Sequence, residues 1–214
     1  MSFQFIIDNA EDISITKRPV VSQTVSRDQH IRSVSRGGAV WKFNVKMPPR
    51  MYWNNVSRGY LESIDTKAML TSQTINLAKT GYTWMTQYRG DATSTSTMTF
   101  KYNSTQAASN TYKFELGNMP GAVGSTLFRA GDLIQPTGSK YVYSTVSAVV
   151  KGSATTQLVE VHRSILDTPS DTAVTFKVGP EVTWTVICTK MPTWTFVEKE
   201  LIEFNGDFEF QEVL

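Results

Sequence analysis

The run Trp41-Lys42-Phe43-Asn44-Val45-Lys46-Met47 alternates strictly between apolar and polar residues, and no other feature limits the fold so tightly. Successive side chains of a strand point to opposite faces, so Trp41, Phe43, Val45 and Met47 are predicted to be buried together. Lys42, Asn44 and Lys46 then share the wet face. Pro48-Pro49 ends the strand, because proline has no N–H to give to a ladder. Arg36-Gly37-Gly38 reads as a turn leading into it. Beyond the prolines the period changes. Tyr52, Val56, Tyr60 and Ile64 recur every four residues, with Trp53 and Leu61 alongside, which predicts one helix over about Tyr52 to Ala68, weakened by Gly59.

After Tyr88 the composition turns polar, through 91–97 and again through 103–110, which reads as a domain edge and a surface loop. Short strand-like runs follow at 112–116, 133–134, 141–150, 157–161 and 174–178. Turn residues separate them, a pattern that suggests a small barrel or sandwich. Longer strands return at the C-terminus. In Leu201-Ile202-Glu203-Phe204-Asn205-Gly206-Asp207-Phe208-Glu209-Phe210, a three-residue loop at 205–207 opposes Phe204 to Phe208 and Ile202 to Phe210. It also leaves Glu203 and Glu209 facing each other on the wet side. The predicted fold class is therefore mainly β, α+β with one helix. Residues 1–92 and 190–214 form one domain, and residues 93–189 form a small β-barrel inserted in it.

The 214 residues carry a net charge of +2, which demands no polyanionic partner. The charge is uneven along the chain. Lys17, Arg18, Arg27, Arg32, Arg36, Lys42, Lys46 and Arg50 make the first quarter basic. Glu198, Glu200, Glu203, Asp207, Glu209 and Glu212 make the C-terminus acidic. These are either two solvated strand faces or complementary sides of neighbouring subunits. The subunit-interface candidates are Lys42, Lys46, Arg36, Glu203, Glu209 and Glu212.

No constellation for catalysis is visible. His30 and His162 lack a second His or a Cys at ligand spacing, so no metal site is expected. The sequence has neither a G-x-S-x-G elbow nor a phosphate-binding loop, and no cofactor is expected. Glu62, Asp65 and Asp91 are scattered acids, which as a pair could serve glycosidase chemistry. Cys188, in an alternating run, is expected to be a small buried apolar residue. With no second cysteine there is no intrachain disulfide, which suits assembly in a reducing cytoplasm. The short run Phe3 to Ile7 meets Asp8 at once and does not read as a signal peptide. No stretch approaches a membrane span. A single-strand nucleic-acid-binding barrel is the main competing reading. It rests on the basic Arg32 to Gly38 segment and on Tyr112, Tyr141 and Tyr143 as stacking platforms.

The segment Phe128-Arg129-Ala130-Gly131-Asp132-Leu133-Ile134-Gln135-Pro136, followed by Tyr141-Val142-Tyr143 and a β-run to Val150, resembles a module of bacteriophage distal tail, baseplate and hub proteins. Val161 to Leu166 and the turn at Pro169 look similar to it too. The layout, one helix after the first strands and a barrel inserted before the last ones, is similar to that of distal tail proteins with an inserted oligonucleotide/oligosaccharide-binding-like domain. That resemblance implies a β-sandwich or split-barrel tail domain forming a sixfold homo-oligomeric ring in the virion. The ring would join the tail tube to the hub, spike, tape-measure or fibre machinery. In that setting nucleic acid is not an expected partner, and a tail-tube subunit or a carbohydrate-binding or hydrolytic tail module is the neighbouring alternative.

Overall fold

The computed structural model describes residues 2–19, 21–25, 31–35, 38–78, 81–92 and 97–214. The fold is mainly β, built of several antiparallel sheets with four α-helices among the described residues. It divides into two compact units, 1–73 with 186–214 and 74–185, so the second is inserted in the sequence of the first. The sequence pattern puts the joins at 92/93 and 189/190. The structure moves both joins toward the N-terminus. Tyr88 and Asp91 are tied to Leu127 and Thr126, and Thr183 is tied to Gln135, so all these residues stay with the inserted unit.

In the first unit the Lys42–Lys46 strand has Asp12–Thr16 on one side and Phe208–Glu212 on the other. Phe208–Glu212 in turn pairs with Trp184–Lys190 through Val186 to Lys190. Trp41, Phe43, Val45 and Met47 are buried as the alternation requires, and Lys42, Asn44 and Lys46 are exposed. The core also takes in Ser2–Asp8, which the sequence pattern shows only as a short apolar run. It is a helix because Phe3, Ile6 and Ile7 fall at i, i+3 and i+4 and share one buried face. The Phe3 ring lies 4.9 Å from that of Phe210, and Phe5 stacks on Tyr60 at 4.7 Å. A separate hairpin pairs Val21–Val25 with Ile31–Ser35.

The helix after the prolines runs Asn55–Lys67. It starts later than its periodicity suggests because Asn54 caps it. The Asn54 carboxamide oxygen accepts from the amides of Val56 and Ser57, and Ser57 Oγ accepts from the Asn54 amide. The stripe it buries is Ser57, Leu61, Ile64 and Ala68, not Tyr52, Val56 and Tyr60. Its last residues therefore match the prediction, and its first turn is rotated from it.

The C-terminal segment does not form the expected hairpin. Leu201–Asn205 pairs with Thr193–Glu198 and Met51–Tyr52, whereas Phe208–Glu212 belongs to the other sheet. Gly206, at φ +104, turns the chain from one sheet into the next. Alternation alone cannot distinguish a hairpin from such a corner, because both keep Phe204, Phe208 and Phe210 on apolar faces. Glu203 consequently lies opposite Thr195, and Glu209 lies opposite Asn44 and Lys190, so the two carboxylates do not face each other.

The inserted unit holds the sheets Gln157–Glu160/Lys113–Gly117/Thr99–Tyr102/Ser170–Val174 and Tyr143–Ser144/Leu133–Pro136/Phe176–Val178, with the pair Val149–Val150/Thr126–Phe128. They share one aromatic core, in which Phe100 stacks on Phe176 at 4.0 Å and on Phe114 at 5.2 Å. Among the described residues no sheet closes into the expected barrel. The Val149–Val150/Thr126–Phe128 pair slips register between Val149 and Val150. The run 141–150 is accordingly broken into two short strands. The polar stretch 103–110 contains a further helix that the sequence pattern does not show, Ser104–Ser109, whose Gln106 amide donates to the Asn103 cap. Substituting Gly206→Ala forces an L side chain into the left-handed region and is expected to cost about 1–2 kcal/mol, read as a lower urea midpoint with an unchanged slope.

Candidate functional site

The polar face of the Lys42–Lys46 sheet carries charge of both signs. Lys46 Nζ lies 3.0 Å from Glu11, whose hydrogen bond and negative charge raise the lysine pKa. Lys190 pairs with Glu209 at 3.2 Å, and Asn44 donates to Asp207 at 3.1 Å. The basic strand and the acidic C-terminal strand therefore meet within one chain, as neighbours in one ladder. Exposed pairs of this kind contribute little to stability. Lys42 is exposed and makes no ion pair among the described residues. Glu203 is exposed on the smaller sheet. Glu212 is only 3% exposed, and its carboxylate accepts from the Trp41 amide at 3.4 Å, so it closes the end of a ladder instead of facing solvent. Arg36 lies outside the described residues.

A feature of the smaller sheet carries no comparable signal in the sequence. Its Thr193–Glu198 strand is paired on one side only among the described residues, leaving a free row of N–H and C=O groups. Phe196 on this edge is 63% exposed and Val197 41%. Nearby in the same unit, the Trp53 ring meets Phe196 edge-on at 5.1 Å. Tyr52 and Val56, on either side of Trp53 in the chain, are 67% and 62% exposed. Arg50 and Glu198 pair at 3.3 Å beside this edge. A bare strand edge beside exposed aromatic and aliphatic side chains is a surface suited to protein contact.

In the inserted unit the Ala130-Gly131-Asp132 turn is structural. Gly131 has φ +95, and the Asp132 carboxylate, only 3% exposed, accepts from the amides of Arg129 at 2.8 Å and Arg89 at 3.1 Å. Burial outweighs these bonds and pushes its pKa up. Tyr143 is buried, so it offers no stacking platform. Its hydroxyl donates to Asp167 at 2.7 Å and accepts from the Leu166 amide, and burial raises its pKa. The buried Arg163 guanidinium lies over the rings of both Tyr141 and Tyr143. His162 Nδ1 accepts from the Ser144 amide, a bond that fixes a strand crossing. Beside Asp167, a cavity of about 280 Å³ opens over Phe100, Tyr102 and Phe114.

The remaining reactive groups have structural surroundings. Cys188 is buried, and burial pushes its thiol up to about 11, so the thiolate is scarce at neutral pH. Asp91 accepts from the Thr126 amide and lies 3.8 Å from Arg129, while Glu62 and Asp65 are exposed on the 55–67 helix. His30 falls outside the described residues. Among the described residues no cluster of His, Cys, Asp and Glu could hold a metal, and no helix is long and apolar enough to cross a membrane.

Removing the Asp132 carboxylate leaves two amides without acceptors, so Asp132→Ala is expected to lower stability by about 2–4 kcal/mol in urea titrations. The raised pKa fixes the sign of the pH effect. The folded state holds this proton more tightly than the unfolded chain, so the Asp132 contribution is fullest below the unfolded carboxylate value, about 3.9, and declines as pH rises through the folded value. The variant is expected to lack that slope. No family model matches the chain, and no curated protein matches it.

Proposed function

We propose that this chain is a structural subunit of a bacteriophage tail tip or baseplate, one that assembles with copies of itself into a ring, expected to be sixfold. The ring would join the tail tube to the hub, spike, tape-measure or fibre machinery. The observation that carries the assembly half of this reading is the unpaired Thr193–Glu198 edge with Phe196, Val197, Tyr52 and Val56 exposed beside it. A ring of identical subunits uses a heterologous contact, in which one patch meets a different patch of the next copy. An open strand edge supplies direction through its backbone hydrogen bonds, and the aromatic residues supply buried area.

The tail half of the reading rests on the resemblance of residues 128–166 to tail and baseplate modules. A mainly β chain inserted into another mainly β unit is in keeping with it. The mixed charge of the Lys42–Lys46 face argues for placing the subunit contact on the edge strand instead, because most of those charges already have partners in the chain.

Light scattering coupled to size-exclusion chromatography tests the assembly. The wild-type protein is expected to elute as a closed oligomer, seen as a ring with a central channel by negative stain. The double substitution Phe196→Glu with Val197→Lys is expected to yield monomers with an unchanged circular dichroism spectrum, since both side chains are exposed at the edge. A monomeric wild-type protein, or a double variant that still forms rings, counts against this surface. Lys42→Glu with Lys46→Glu is expected to leave the ring intact at low salt.

A further inference from the structure

The cavity beside Asp167 in the inserted unit borders a fault in its own sheet. Ser170 pairs with Tyr102 and Val174 with Phe100, so the edge strand advances four residues while its neighbour advances two. The surplus residues between Ser170 and Val174 form a bulge in the edge strand, and bulges of this kind re-aim side chains beside binding sites. Into the gap open the edges of Phe100, Tyr102 and Phe114, with Pro136 beside them. Around this apolar floor stand the hydroxyl-bearing residues Thr137, Ser139, Thr168, Ser170 and Thr172. The turn carrying Thr137 and Ser139 is held in place. The Thr137 amide donates to Thr175 at 2.8 Å, and Ser139 Oγ accepts from the Tyr141 amide at 3.0 Å.

The electrostatics of the lining are one-sided. Among the described residues no lysine, arginine or histidine lines the cavity, and the single ionic group is the Asp167 carboxylate. One oxygen of that carboxylate is fixed by the Tyr143 hydroxyl at 2.7 Å. The other meets no protein donor among the described residues, and neither do the hydroxyls of Tyr102, Thr168 and Thr172. A phosphate or sulfate group would find no cation here and would meet a carboxylate, so nucleotides and nucleic acid are disfavoured. An apolar floor, a rim of hydroxyls and one acceptor-only carboxylate match a ligand with an apolar face and several hydroxyl donors. At about 280 Å³ the space lies at the small end for ligand pockets and suits a single ring.

We infer that this cavity, walled by Ser170, Thr172 and Val174 of the irregular edge strand and floored by Phe100, Tyr102 and Phe114, is a subsite for one neutral saccharide residue, with Asp167 accepting from its hydroxyls. This inference does not rest on ring assembly, and a monomeric protein would carry the subsite equally well.

Saturation-transfer NMR on the full chain tests it, with the methyl glycosides of glucose, galactose, mannose, rhamnose and N-acetylglucosamine as probes. Inorganic phosphate and methylammonium serve as charged controls. At least one glycoside is expected to bind with a Kd of about 1 mM, as fits a ligand of so few atoms in a shallow site. Thr172→Tyr and Thr168→Tyr, both at exposed rim positions, are each expected to weaken it tenfold or more without moving the thermal midpoint. The inference is overturned if no glycoside shows transfer at about ten times that concentration, if binding survives both rim substitutions, or if phosphate or methylammonium binds more tightly than every glycoside.

Discussion

The first unit depends on one strand being hydrogen-bonded on both sides. Phe208–Glu212 lies between Lys42–Lys46 and Trp184–Lys190, so the end of the chain forms the middle of the sheet. Phe208 and Phe210 put two aromatic rings under that sheet, and Phe3 packs on the second of them. At the end of the ladder, Glu212 and Trp41 exchange backbone and carboxylate hydrogen bonds. Contacts of such long sequence separation form only after a large loop has closed, so the C-terminal strand, the Lys42–Lys46 strand and Phe3 must be in place together for this core to exist. A long insertion between them adds little further entropy, because closure cost rises only logarithmically with loop length.

Within the inserted unit the corresponding role falls to Asp132. Its carboxylate gathers the amides of Arg89 and Arg129, while the Thr145 hydroxyl donates to the Arg129 carbonyl. A turn, an incoming segment and a strand are thereby joined at one buried acid. A buried carboxylate is tolerable only with such partners, and the Ala130-Gly131-Asp132 turn therefore acts as a clamp. Arg163 is the second buried charge, covered by two tyrosine rings and donating to the Val142 carbonyl. Beside it the Tyr143 hydroxyl, donating to Asp167 and accepting from the Leu166 amide, holds the Asp167 side of the cavity.

Charge and apolar exposure lead to different conclusions about contact surfaces. Of the charged candidates, Lys46 and Glu209 are paired in their own chain with Glu11 and Lys190, and the Glu212 carboxylate accepts from the Trp41 amide. In the first unit, exposed apolar side chains stand beside a sheet edge, at Phe196 and Val197. Solvated ion pairs contribute little to association, whereas an uncovered edge with aromatic neighbours gains from being covered.

The sequence by itself determined the mainly β class, the buried Trp41-Phe43-Val45-Met47 face, the helix ending near Ala68 and the buried state of Cys188. Each of these follows from local periodicity, which depends only on how a strand or helix points its side chains. The tertiary structure alone decided that Leu201–Asn205 and Phe208–Glu212 part at Gly206 into different sheets. It also decided that Ser2–Asp8 and Ser104–Ser109 are helices and that, among the described residues, the inserted sheets stay open. In all these cases two arrangements satisfy the same alternation or composition, and the choice is made by partners far away in the chain, such as Phe3 against Phe210. The exposed edge at Phe196 and the cavity beside Asp167 belong to the same class. Whether a strand has a second neighbour, and where a bulge lifts it from the sheet, are properties of pairing, and pairing is written in contacts between distant residues.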